Sequence, residues 1–195
     1  SLIDKALKFT DQVILIDDAC PNRTGRLVEE TFKSSDKVKV LFHSRNQGVG
    51  KSCQEGMKFL LENDCTIVIK IDADGQMDPN LIPRLINPII EGNAEAVKGN
   101  RFTSIDDFLS MPRIRIIGNL GLSFLNKIST GYWELFDPTN GFIAFKSSAL
   151  KRVRIEKTDN RYFFESDLLF QSSLAQVTFA QIAMSSIYGN EVSSL

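Results

Sequence analysis

Thr66-Ile67-Val68-Ile69-Lys70-Ile71-Asp72-Ala73-Asp74-Gly75-Gln76 decides how the chain is read. Its first half is rich in β-branched residues and has the character of a buried strand. Its end carries two carboxylates at i and i+2, which an extended chain directs to one side. Asp72 and Asp74 are thereby expected to aim their oxygens at one point beyond the strand. Mg²⁺ and Mn²⁺ prefer such an oxygen-only donor set. Gly75 permits a sharp turn that brings the Gln76 amide oxygen toward the same point. An Asp-Gly pair also closes ordinary turns, so the surrounding chain has to decide between the two readings.

Outward from this stretch the same pattern recurs. Val13-Ile14-Leu15-Ile16 reads as a buried strand ending at Asp17-Asp18, and Val38-Lys39-Val40-Leu41-Phe42 as a second strand before His43. Leu27, Val28 and Phe32 mark a helix between them. Cys53, Met57, Leu60 and Leu61 mark the next helix, with Lys51, Gln54, Glu55, Lys58 and Glu62 mostly on its other face. Asp78-Pro79 opens a helix after the acidic turn. Strands that alternate with helices, each ending in polar or acidic residues, predict a parallel α/β sheet with helices on both faces. Ligands of such sheets gather at the carboxyl ends of the strands. Asp17, Asp18, Arg45, Asn46, Asp72 and Asp74 all fall there.

Beyond residue 93 the rhythm changes. Ala94 to Lys98 reads as a short strand, Phe142 to Phe145 as another, and Val177 to Met184 as a last one. Arg113 to Thr130 is helical in pattern and apolar around most of its circumference. Such a helix is expected to be buried, the alternative being contact with a membrane surface or a lipid. Phe163 to Leu174 reads as a helix carrying Glu165 and Asp167.

Composition narrows the function. The 195 residues are 43% hydrophobic and 24% charged, the profile of one globular domain. A formal charge of −1 argues against a broad phosphate-backbone footprint, and nucleic acid is not expected as a partner. Cys20, Cys53 and Cys65 are widely spaced with no Cys-x-x-Cys, which points to a reducing compartment. A lone histidine, His43, argues against a histidine metal site and against Ser-His-Asp chemistry and is read as structural. No apolar run approaches the roughly 20 residues of a membrane span, and no signal peptide opens the chain. The missing initial Met leads to the expectation of a fragment.

Three motifs fail on inspection. Gly50-Lys51-Ser52 lacks the earlier glycine of a P-loop, because Arg45 stands there. Gly48-x-Gly50-x-x-Cys53 approaches a dinucleotide fingerprint, but Cys53 replaces the third small residue. An EF-hand starting at Asp72 would need glycine and glutamate where Met77 and Pro83 stand.

Five segments in order carry a resemblance. They are Ile14 to Asp18; Arg45-Asn46-x-Gly48-x-Gly50; Asp72 to Pro79; Gly99-Asn100-Arg101-Phe102; and Asp137-Pro138-Thr139-Asn140-Gly141-Phe142. Together they resemble glycosyltransferase family 2 with the GT-A fold, and most closely its polyprenyl-phosphate branch. The resemblance spans essentially the whole chain. It implies a Rossmann-like three-layer α/β/α domain with a mostly parallel central sheet, lacking its first strand. It also implies one domain over 1–195, clipped at both ends, with a nucleotide-binding half (1–93) and an acceptor-binding half (94–195).

The resemblance further implies a nucleoside-diphosphate sugar donor and Mg²⁺ or Mn²⁺. Asp17, Asp18, Arg45, Asn46, Gly48 and Lys51 match the nucleotide-contacting positions, and Asp72, Asp74 and Gln76 the metal and diphosphate site. Arg101, Arg113 and Arg115 match basic positions near the phosphates of donor and acceptor, and Asn140 lies in a segment facing the substrate. Glu165 and Asp167 fall where many members carry a general base. A phosphate acceptor is already anionic and needs no proton removed. The expected activity is inverting transfer of a sugar to a polyprenyl phosphate, at the cytoplasmic face of a membrane in the full-length protein. The alternatives are a relative acting on a saccharide hydroxyl, or a non-catalytic nucleotide-sugar-binding domain.

Overall fold

The computed structural model describes residues 1–101 and 113–184. It opens with a short helix α1 (Leu2–Ala6), capped by Ser1 and Asp4 in a reciprocal box. Strand β1 (Val13–Asp17) pairs in parallel with β2 (Val38–Phe42), in register from Val13 opposite Val38 to Asp17 opposite Phe42. Helix α2 (Thr24–Thr31) makes the crossover, and α3 (Val49–Glu62) leads to β3 (Ile67–Lys70). A 3₁₀ turn, Pro79–Leu81, is capped by the Asp78 side chain and runs into α4 (Ile82–Ile90). Then come β4 (Ala96–Asn100), α5 (Arg113–Thr130), β5 (Ile143–Lys146), α6 (Ser147–Leu150), α7 (Phe164–Leu174) and β6 (Phe179–Ala183).

Among the described residues the strands form two sheets. One is β1-β2, and the other has the order β3-β5-β4-β6. In the larger sheet β4 and β6 are parallel, while β5 runs antiparallel to both β3 and β4. The α/β class expected from the sequence is correct, and β5 is the strand that runs against its neighbours. It enters the sheet from the turn at residues 137–141, at the end where β3 and β4 finish, and so runs back between them. Helix α3 packs against both β1 and β3 and ties the two sheets together.

Period-two alternation sorts the core into two layers. Val68, Ala96, Ile143 and Phe145 face α3, α6 and α7, joining Met57, Leu150, Phe164 and Leu168. Ile67, Ile69, Val97, Ala144 and Ile182 face the other way, onto Ile82, Leu85 and Ile89 of α4. Phe142, Phe145 and Phe164 are fully buried, and each contributes roughly 1.5–3 kcal/mol.

Helix α5 departs from expectation. It packs against α7, yet Phe124, Leu125 and Ile128 in its second half are exposed, as are Trp133 and Phe136 just beyond. The helix is therefore not buried all round. Residues 102–112 of the sequence, with Phe102, Asp106 and Asp107, and the tail from 185 lie outside the described residues.

Candidate active site

The strand tips bring three clusters together. At the tip of β1 the two adjacent acids do different work. The Asp17 carboxylate accepts the backbone N–H groups of Cys20 and Gly25, at 2.7 Å each, and so fixes the turn into α2. It is buried, and these two bonds give it a structural task. Asp18 instead closes the loop after β2. Its Oδ1 meets His43 Nδ1 at 2.6 Å and accepts the Gln47 N–H at 2.8 Å, while its Oδ2 accepts the Gly48 N–H at 2.8 Å. Burial works against the Asp18 charge, but these bonds outweigh it and lower its pKa.

His43 is buried, with 4% of its side chain exposed, and lies between two carboxylates. Its Nε2 meets Glu55 Oε2 at 2.8 Å. Burial disfavours the imidazolium, yet the bonds to Asp18 and Glu55 prevail and raise its pKa. Lys51 lies 3.4 Å from Glu55, on the helix surface. Arg45 is exposed, and the Asn46 amide reaches the Asp18 carbonyl at 3.5 Å.

Gly48 and Gly50 have a purpose that their fingerprint-like spacing conceals. Gly48 sits at φ 100°, and a Cβ at either position would run into the backbone of Asp159 and Asn160. They let residues 158–161 lie directly on the start of α3. There the Lys51 N–H donates to the Asn160 carbonyl, and the Gln54 amide donates to Thr158 and Asn160. This packing leaves a cavity of about 340 Å³ lined by Asp18, Asn46, Gly48, Ser52, Arg161 and Tyr162 among others.

The second cluster is at β3. The strand ends at Lys70; Asp72 follows it, and Asp74 lies in the turn that comes next. The i, i+2 relation that matters joins Lys70 to Asp72: the Lys70 Nζ donates to Asp72 Oδ1 at 2.6 Å and contacts Glu165 Oε1 at 2.9 Å. Burial alone would lower the Lys70 pKa, but the surrounding Cys53, Asp72 and Glu165 raise it, so it stays charged. Asp74 Oδ1 accepts the Gln76 N–H at 3.0 Å, and Gly75 at φ 78° closes the turn. Among the described residues no three His, Cys, Asp or Glu side chains group to enclose a metal ion. Two exposed or half-exposed carboxylates and an amide form a partial, all-oxygen donor set. It suits a hard cation that keeps part of its shell for ligand oxygens.

The third cluster is the turn Asp137–Gly141. The Asp137 carboxylate is 1% exposed and takes the Arg101 guanidinium bidentately, at 2.7 and 2.8 Å. Thr139 adds its hydroxyl to the same guanidinium at 3.3 Å. The Lys98 ammonium donates to the Asn140 carbonyl, and burial pushes its pKa down to about 8. The Asn140 side chain is 1% exposed, donating to the Gly99 carbonyl and accepting the Phe142 N–H. Asn140 therefore shapes the turn. Gly141 lies so close to the acidic tip that a Cβ would strike Asp72 Oδ2 and Lys70 Nζ.

The two candidate bases are both engaged. Glu165 is paired with Lys70, and Asp167 Oδ2 accepts the Asp159 N–H at 2.8 Å, holding the loop before α7. Arg113 and Arg115 begin α5, but their side chains lie outside the described residues. Lys70 is the residue that sequence reasoning passed over. For Lys70 a signal existed: one lysine inside an otherwise β-branched run, on the same side as Asp72.

The model of the family described as glycosyl transferase family 2 matches residues 1–154. The chain belongs to glycosyl transferase family 2. It is a glycosyltransferase, and relatives fill in the family. A UDP-N-acetylglucosamine–dolichyl-phosphate N-acetylglucosaminyltransferase from Methanococcus voltae is 31% identical, over 91% of this chain and 75% of its own. An undecaprenyl-phosphate mannosyltransferase from Micrococcus luteus is 26% identical, over 83% of this chain and 65% of its own. A crystal structure of glucosyl-3-phosphoglycerate synthase from Mycobacterium tuberculosis, in complex with Mn²⁺, uridine diphosphate and glucosyl-3-phosphoglycerate, matches with a TM-score of 0.71. It is 16% identical, over 97% of this chain and 66% of that one, which establishes the GT-A-like fold. The family 2 chain thus spans about two-thirds to three-quarters of the length of these relatives.

Proposed function

We propose that this family 2 chain moves a sugar from a nucleoside-diphosphate sugar to a polyprenyl phosphate. Relatives named for dolichyl- and undecaprenyl-phosphate acceptors support that acceptor class. The observation that carries the reading is the turn Asp137–Gly141. At one end it holds Arg101 through Asp137, and at the other it abuts Asp72. An anion-binding guanidinium and an acidic, metal-suited tip are thereby joined by five residues. Glu165 pairs with Lys70 and Asp167 holds the Asp159 N–H, roles that need no base chemistry, and a phosphate acceptor needs no base.

In this reading Asp72, Asp74 and Gln76 hold Mg²⁺ or Mn²⁺, which stabilises charge on the leaving nucleoside diphosphate. The cavity beside Asp18, Asn46 and Gly48 takes the nucleoside, and Arg45 and Lys51 are assigned to contact with the nucleotide. Arg101 fixes the acceptor phosphate for in-line attack on the anomeric carbon, with Arg113 and Arg115 assisting. Residues 1–93 would serve the donor and 94–195 the acceptor. No helix among the described residues is long and apolar enough to cross a membrane. Contact with the cytoplasmic membrane surface is assigned to the exposed Phe124, Leu125, Ile128, Trp133 and Phe136, around Lys127.

The test is a transfer assay with nucleotide sugars against dolichyl phosphate, undecaprenyl phosphate and oligosaccharide acceptors, with and without Mn²⁺. A chloroform-soluble, Mn²⁺-dependent product is expected. Transfer to oligosaccharides alone would overturn the acceptor assignment.

A further inference from the structure

The sugar-transfer reading gives Lys70 no task, yet the fold goes to some length to place it. Its side chain is 7% exposed. Alternation along β3 sends it to the face covered by α3 and α7, and there its ammonium meets two carboxylates from separate elements. These are Asp72 beyond β3 and Glu165 in the first turn of α7. Gly141 seals the arrangement, because any side chain at that position would strike both Lys70 Nζ and Asp72 Oδ2.

Without the lysine, the Asp72 and Glu165 carboxylates would face one point beyond the tip of β3. Clustered carboxylate oxygens repel one another and capture a bare divalent cation. With the lysine, that negative charge is already partly neutralised. An incoming dication also meets the repulsion of a fixed ammonium in a poorly screened setting. A nucleoside diphosphate brings its own negative charge and restores the attraction. Coupling of this kind is reciprocal: the nucleotide tightens the metal as much as the metal tightens the nucleotide.

We propose that Lys70 is an internal counter-cation that suppresses capture of bare metal at the tip of β3, so that the cation is taken up together with the diphosphate. The proposal rests on the sugar-transfer reading. Lys70 is a positioning residue here; it touches Asp72 and Glu165 rather than substrate.

The experiment is a titration of Mn²⁺ into the protein, followed by the electron paramagnetic resonance of free Mn²⁺, without nucleotide and with UDP or GDP. Wild type is expected to bind Mn²⁺ weakly alone and more tightly with a nucleotide. Lys70→Met should raise nucleotide-free Mn²⁺ affinity about tenfold or more and shrink the enhancement by nucleotide. Lys70→Arg should restore wild-type dependence. Glu165→Gln, which leaves the whole ammonium charge to Asp72, covers the case that Lys70→Met does not fold. It should weaken nucleotide-free binding and enlarge the enhancement. Unchanged or weaker nucleotide-free affinity in Lys70→Met, or an unchanged enhancement in Glu165→Gln, overturns the proposal alone. Wild type that takes up no Mn²⁺ even with UDP or GDP overturns the sugar-transfer reading as well.

Discussion

Asp72 shows how much one residue depends on its neighbours. One oxygen is tied to Lys70, and the other lies against Gly141. Asp72→Asn is expected to lower transfer about a thousandfold, with an unchanged circular-dichroism spectrum; near-normal turnover with Mn²⁺ present would remove the metal role. Asp137 offers a test of the turn. It is buried and takes the Arg101 guanidinium bidentately, so Asp137→Ala breaks a buried ion pair and should cost about 3 kcal/mol in urea unfolding. A loss below about 1 kcal/mol would mean that the pair is a surface ornament. Asp17 and Asp18 stand side by side in sequence and look interchangeable. Their different hydrogen-bond partners were illegible there, because those partners lie on two different loops.

At the scale of elements, the junction of β1, β2 and α3 is governed by His43. The groups around it are Asp18 from β1 and Glu55 and Lys51 from α3, with Asp17, Arg23, Arg26 and Glu30 around the adjoining cleft. The His43 pKa is raised in the folded state, so its stabilisation is fully present below the unfolded value of about 6.5. It is lost as pH climbs through the folded value. Asp18 and Glu55 have lowered values, so their share is present above the unfolded carboxylate range and fades in acid. Urea midpoints measured from pH 5 to 9 should therefore fall on the alkaline side for wild type and stay flatter for His43→Gln. Parallel curves would show that His43 is held neutral. The strands and helices themselves were plain from periodicity. The direction of β5 was not, since Ile143-Ala144-Phe145 has the same apolar pattern whichever way it runs.

For the molecule as a whole, the informative surface is the apolar one. Phe124, Leu125 and Ile128 lie on one side of α5, with Trp133 and Phe136 next in the chain and the Lys127 ammonium 3.4 Å from the Phe136 ring centre. Aromatic residues with nearby cations suit the headgroup zone of a bilayer. Vesicle flotation with anionic lipids should retain wild type and release Leu125→Glu/Ile128→Glu, with the melting temperature shifted little because both side chains are exposed. Equal flotation of the two would place the lipid contact elsewhere. The apolar pattern of Arg113–Thr130 was visible in the sequence, but whether protein covers it depends on how many helices pack nearby.

Local chemistry was written in the chain itself: alternating strands and helices, acids at strand ends, glycines beside them, and five ordered segments with a family's spacing. These are set by short-range geometry, where period and side-chain type suffice. Pairing across distance was decided only by the fold. Lys70 with Glu165, Arg101 with Asp137, and His43 between Asp18 and Glu55 join residues as few as 12 or as many as 95 positions apart. A buried charge must find an opposite charge wherever packing brings one, and no local pattern records which one that is.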